Sequence, residues 1–239
     1  MDATVLREVP ASGDHKGHVD ATSGKSPEWW PQWSGETVAL IASGPTAKKA
    51  NVAALKGRTK IIAINESYQL CPWADALYAC DADWWKLKHG VPEFHGLKIS
   101  RASDAKDSPA YRLDYADVKK IKVERYGDKL ELHDIGKIGS GGNGGFQALN
   151  LAVQFGATKI MLIGYDMRVD LGEHWHKRHQ MPLSNPHPND NLPRWRAAID
   201  GAAKTLHAFD IEVVNCSSVS LLKAYPKMTV EEALHAFEL

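Results

Sequence analysis

From Thr37 onward, short apolar runs alternate with amphipathic stretches. "TVALI" stops at Ser43-Gly44-Pro45-Thr46, "TKIIAIN" at Asn65-Glu66, and "KIMLIGYD" at Asp166. Each run is short, rich in β-branched residues and bounded by small polar residues, which predicts buried strands. A further strand is expected over 76–80 and another in "FDIEVVNCS". Between these runs the period changes to that of a helix: "TAKKANVAALKG", residues 145–155, "LPRWRAAIDGAAKTLHAF" and the closing "TVEEALHAFEL". Alternating strands and helices imply a parallel sheet covered on both faces. The expected architecture is α/β: a single Rossmann-like domain with a mostly parallel sheet covered by helices.

Two segments lack this pattern. Residues 1–34 are rich in Gly, Ser, Asp, His and Lys, with no apolar period beyond Val5-Leu6, and read as a disordered or surface-pinned arm. Trp29, Trp30 and Trp33 at its end are expected to pin it to the domain formed by 35–239. Residues 86–135 predict two short strands with a variable helix or loop, and their Lys/Arg cluster alternates with acids as a solvated face does.

Composition narrows the function classes. A chain of 239 residues, 44% hydrophobic, is long enough for one sizeable core. Its formal net charge is zero, so it lacks the broad positive field that captures nucleic acid. Cys71, Cys80 and Cys216 are an odd set at unhelpful spacings and read as reduced thiols, as in a cytoplasmic protein. No apolar run reaches the length of a membrane span, and the N-terminus lacks the order of a secretory signal. A homo-oligomer is compatible with all of this.

The strand ends place small and polar residues along one rim of the sheet: Ser43 to Thr46, Asn65, Asp81 and Asp83, Asp166, and Asn215 to Ser217. Into the same rim feeds "IGSGGNGG", with five glycines in eight positions directly ahead of a helix. A helix N-terminus favours an anion, and residues without side chains let a phosphate approach the backbone. The loop fits neither the lysine-bearing phosphate loop nor the dinucleotide fingerprint, so a plain crossover loop is the alternative.

"ALIASGPTA" with "IIAIN", then "GGNGGFQALNLAVQFGATKIMLIGYD", then "NCSSVSLLKAYP" resemble the motif series of the bacterial lipooligosaccharide sialyltransferases. The wider group includes often phage-borne glycosyltransferase-like proteins and pterin pyrophosphokinases. The resemblance spans about residues 38–226. It implies a variant glycosyltransferase-A fold and a nucleotide-activated sugar as donor, bound by the sialyltransferases without a metal ion. By position, Gly44, Pro45 and Thr46 resemble the Gly-Pro-Ser turn beside the donor phosphate, and Asn65 resembles the asparagine that contacts the nucleotide. Asn143, Gly144 and Gly145 fall on the Thr-Ser-Gly stretch, with Gly144 in place of its serine. Asp166 matches the aspartate of Gly-Ile-Asp, and Ser220 the serine of the late Asn-Ser-Leu-Leu motif.

After Asp166 the resemblance weakens. "GEHWHKRHQMPLSNPHPND" holds His174, His176, His179 and His187. The family's general base is a histidine just ahead of the next helix, which His187 matches; a neutral imidazole suits that role. The family's phosphate-binding tyrosines are not evident, and Arg168, Lys177, Arg178 or Arg194 are candidates to replace them. A divalent metal is a further option: His174, His176 and His179 near Asp166, or Asp81-x-Asp83, have ligand character. The aspartates could instead bind ribose or acceptor hydroxyls. Among Trp84, Trp85, Trp175 and Trp195, the sequence favours Trp84 or Trp85 as a sugar-facing ring, because Trp195 has core-like helix spacing.

Three functions follow. The first is metal-independent glycosyl transfer from a nucleotide sugar, with a histidine base. The second is pyrophosphokinase or nucleotidyl transfer with ATP and magnesium held by Asp81, Asp83 and Asp166. The third is a catalytically silent nucleotide-binding module.

Overall fold

A computed structural model describes residues 26–102, 113, 115–177 and 188–239. Among these residues, eight strands form one sheet: β1 Thr37–Ile41, β2 Lys60–Ile64, β3 Ala76–Tyr78, β4 Leu97–Arg101, β5 Val118–Glu124, β6 Lys137–Gly139, β7 Lys159–Ile163 and β8 Glu212–Asn215. Their order is β6-β5-β4-β3-β2-β1-β7-β8, and each pairing is parallel. The helices are α1 Ala82–Leu87, α2 Gly144–Gln154, α3 Pro188–Ala208 and α4 Val230–Ala236.

The two-residue period of a strand divides the core. Val38 and Leu40 of β1 face one layer with Phe146 and Leu149 of α2 and Ile199 of α3. Ala39 and Ile41 face the other, with Leu55, Trp85 and Leu234. All five residues of β1 are therefore buried, which is why its sequence reads as an unbroken apolar run. The chain builds outward from β1 to β6, then α2 carries it back so that β7 pairs with the other side of β1. This reversal opens a crevice between β1 and β7 at the carboxyl ends of the strands, the place where α/β sheets bind ligands.

Several elements differ from the sequence expectation. The helix expected between β1 and β2 is two short 3-10 turns, Pro45–Lys48 and Val52–Leu55. Asn51 between them has ψ 67, outside the helical range, and Gly57 takes φ +74. The break at Asn51 divides the segment, so no continuous helical hydrogen-bond ladder runs through it. Helix α1 and strand β6 were not expected at all; three strand residues carry no readable period. α3 begins at Pro188 rather than at residue 192.

Trp30 and Trp33 lie edge-on to Phe155 at the end of α2, each with ring centroids 4.9 Å away. The Trp33 amide donates to the Phe155 carbonyl at 2.7 Å. Both indoles are buried. Residues 1–25 of the expected arm lie outside the described residues. Among the described residues, no helix is long and apolar enough to cross a membrane. All three cysteines are free: Cys71 and Cys216 are buried and Cys80 is half-buried.

Candidate functional site

The glycine loop is held by one face of α2. Gln147 Nε2 donates to the Ser140 carbonyl at 3.0 Å. Asn150 Oδ1 accepts from the Glu131 and Gly139 amides at 2.8 and 2.9 Å, and its Nδ2 donates to the Glu131 carbonyl at 2.7 Å. Gln154 accepts from the Gly136 amide and donates to the Glu131 and Lys137 carbonyls. These buried amides satisfy backbone groups of an irregular segment that would otherwise be stranded away from water. Gly141 and Gly142 take φ +51 and +71, conformations that favour glycine.

Asn143 then caps α2: its Oδ1 accepts from the Phe146 amide at 2.9 Å, and its Nδ2 donates to the Gly141 carbonyl at 3.0 Å. The side chain is thereby committed to the turn. The Gly144 and Gly145 amides belong to the first turn of α2, which has no acceptor within its own helix. A Cβ on Gly145 would stand 2.9 Å from Cε1 of Tyr165, whose hydroxyl donates to the Gly145 carbonyl at 2.9 Å.

These glycines floor a cleft of about 430 Å³. Its rim carries Ser43 and Gly44 after β1, Asn65 after β2, Asp81 after β3, and Asp166 to Val169 after β7. Gly44 and Gly164 make close approach of the two central loops possible. A Cβ on Gly44 would collide with the Gly164 carbonyl and lie 2.8 Å from Asp166 Cγ. Asn65 and Met167 are left-handed at φ 50 and 53, strained backbone of the kind concentrated at ligand sites. Among the described residues, Ser43 Oγ is buried without a hydrogen-bond partner, and Ser43 lines the cleft.

Asp166 is 1% exposed and ties three loops together. Its carboxylate accepts from the Thr46 amide at 2.9 Å, from the Thr46 hydroxyl, and from the Ser217 hydroxyl at 2.6 Å. Thr46 is thus a partner of Asp166, and neither it nor Pro45 is among the residues lining the cleft. Ser220 likewise sits outside the lining: its hydroxyl donates to the Tyr165 carbonyl at 2.6 Å and accepts from the Leu222 amide. It shapes the β8 loop from beneath.

The expected charged residues divide. Arg168 lines the cleft, but its Nε donates to Asp170 at 2.7 Å and its Nη1 to the Val219 carbonyl at 3.0 Å. That ion pair raises the guanidinium pKa and lowers that of Asp170. Arg194 pairs with Asp128 at 2.8 Å. Asp83 lies within α1, 3.4 Å from Lys86, and is not among the cleft residues. His174 lines the cleft and stacks on His176, with ring centroids 5.0 Å apart. His187, His179 and Arg178 lie outside the described residues.

A magnesium-bound triphosphate would need converging carboxylates. Asp81 and Asp166 line the cleft, yet Asp83 is turned to Lys86 and Asp166 is occupied by hydroxyl and amide donors. Among the described residues, no group of three or more His, Cys, Asp or Glu side chains is placed to hold a metal ion. The three aspartates do not fit such a group.

The tryptophan ranking is reversed. Trp84 and Trp85 are core residues, 2% and 0% exposed, packed edge to face. Trp195 and Leu192 of α3 line the cleft instead, with Glu173 beside His174. Sequence reasoning missed them because helix spacing alone does not say which layer a helix covers. The Gln147, Asn150 and Gln154 stripe was detectable as a polar row at helical spacing inside an apolar helix.

The sequence matches no family model and no curated protein. A solved structure of the sialyltransferase CstII from Campylobacter jejuni, in complex with the substrate analogue cytidine-5'-monophosphate, superposes with a TM-score of 0.50 and 12% identity. The match covers 86% of this chain and 98% of that one. The chain has a glycosyltransferase-A-like fold. A second CstII structure with cytidine monophosphate, of a single-site variant, matches at a TM-score of 0.43 and 11% identity.

Proposed function

We propose that this chain is a glycosyltransferase-like enzyme that takes a nucleotide-activated sugar, without a metal ion at the phosphate, and uses a histidine as general base. The observation that carries the reading is the cleft at the β1/β7 reversal, lined by Ser43 and Gly44 after β1 and by Gly144 and Gly145 in the first turn of α2. The fold shared with a sialyltransferase supports it.

In this reading the donor phosphate sits against the Gly144 and Gly145 amides, where the helix macrodipole stabilises negative charge. Asn65 and Asp81, at the tips of β2 and β3, offer hydrogen bonds to hydroxyls of the donor. An acceptor hydroxyl attacks the anomeric carbon: its oxygen forms the new bond while the bond to the phosphate oxygen breaks. The departing electron pair stays on the nucleotide, and the acceptor proton passes to a neutral imidazole. His187, which immediately precedes α3, is the proposed base; His174 lines the cleft and is the second candidate. Charge building on the leaving phosphate is met by fixed amides rather than by a cation.

A thermal-shift panel of nucleotides and nucleotide sugars, with and without magnesium or manganese, tests this. Ligand at about a hundred times its dissociation constant adds about 2.7 kcal/mol to stability. The expected result is a metal-independent shift with a sugar nucleotide. A shift only with ATP and metal replaces this reading with pyrophosphoryl transfer, and binding without turnover of any donor with it leaves a silent nucleotide-binding module.

A further inference from the structure

Most of the tryptophans with described surroundings are spent on packing. Trp30, Trp33, Trp84 and Trp85 are buried in the two core layers, each against another aromatic ring. Trp175 packs on the second layer, and its indole donates to Ser67. Trp195 differs: it is half-buried, belongs to neither core cluster, and lines the cleft. A large apolar ring left partly in water on a domain surface marks a place where something else covers it.

Its position is fixed relative to the glycine loop. A Cβ on Gly142 would stand 3.0 Å from Trp195 Nε1 and 3.1 Å from Cδ1, so the absence of a side chain at Gly142 admits the indole. The neighbouring Arg194 pairs with Asp128, and the adjoining Gly127 carbonyl accepts from the Ser140 and Gly141 amides. One turn therefore holds both the start of the glycine loop and the first part of α3. Met167, Val169 and Leu192 line the same cleft, as do Gly144 and Gly145 at the start of α2.

A cleft lined both by apolar residues with an aromatic ring and by the N-terminus of a helix matches the two halves of a nucleotide, its base and its phosphate. We propose that the Trp195 indole is the stacking surface for the planar base of the bound nucleotide, and that Gly142 is small so that this ring can lie against the loop. The inference rests on the nucleotide reading above and adds the residue that grips the base. Stacking tolerates any base, so Trp195 contributes affinity for a nucleotide over a bare phosphate and little choice among bases.

The test compares dissociation constants, by calorimetry, of nucleoside 5'-monophosphates, a hexose 1-phosphate and inorganic pyrophosphate for the intact chain, Trp195→Ala and Trp195→Phe. Expected is an affinity loss of at least about tenfold for the nucleoside monophosphates in Trp195→Ala, largely restored in Trp195→Phe, with both other ligands unchanged. If the hexose phosphate weakens equally, the indole holds the sugar and the proposal is overturned; unchanged nucleotide affinity in Trp195→Ala overturns it as well. If the intact chain binds pyrophosphate or hexose phosphate but no nucleotide, the nucleotide reading itself falls and takes this one with it. Should Trp195→Ala unfold, Trp195→Leu keeps the apolar volume without the aromatic face, and the same selective loss is expected.

Discussion

At the scale of single residues, sequence position and chemical role separate. Asp166 stands out in the sequence by its place at the end of a strand and does line the cleft, but its oxygens accept from Thr46 and Ser217, so it ties the β1, β7 and β8 loops together. In the proposed function a histidine is the base, and the two candidates can be told apart. His187→Ala is expected to abolish glycosyl transfer while donor affinity stays nearly intact, because a base acts on the acceptor in the transition state. His174→Ala, which removes a cleft-lining ring stacked on His176, is expected to weaken donor affinity first. Steady-state kinetics with direct binding decides: turnover lost in His174→Ala and kept in His187→Ala transfers the base assignment to His174.

At the scale of elements, α2 links the edge of the sheet to the site. One face packs in the core through Phe146, Leu149 and Val153, and another carries Gln147, Asn150 and Gln154 against the loop at 131–140. Gln154→Ala strands the Gly136 amide and leaves the Lys137 carbonyl without its side-chain donor, and is expected to cost about 1–3 kcal/mol of stability. Urea unfolding measures the cost, and hydrogen exchange should speed up over 131–139 before the rest of the domain. Unchanged protection there would mean that the amide row does not hold the loop. The 3-10 turns after β1 show the converse case, in which amphipathic spacing was present but the backbone leaves the helical range at Asn51 and divides the segment into two turns.

For the whole molecule, buried neutral groups set the response to alkali. Burial pushes the Cys71 and Cys216 thiols up to about 12, against an ordinary value of 9.0. Tyr78 and Tyr165, fully buried, are raised well above 10.0. A folded-state pKa above the unfolded one gives stability that is complete below about pH 9 and is lost as pH rises toward the folded values, because the unfolded chain releases these protons first. The melting temperature is therefore expected to fall progressively above pH 9. A flat profile from pH 7 to about 11 would show that these groups are solvated in the folded protein.

The sequence by itself determined the α/β class, the central strands, the polar strand-end rim and the glycine loop ahead of a helix. Those features are local: a strand buried on both faces is a continuous apolar run, and a turn with positive φ favours glycine, as at Gly141 and Gly142. Tertiary structure alone decided which rim residues share a space. The crevice exists because α2 returns the chain to pair β7 beside β1, a contact between residues far apart in sequence. Ser43, Gly144 and Arg168 meet around that cleft, whereas Asp83 and Ser220 lie outside its lining, and Trp195 rather than Trp84 stands at its wall. Helical spacing says that a residue lies on a face, but only packing says what that face meets.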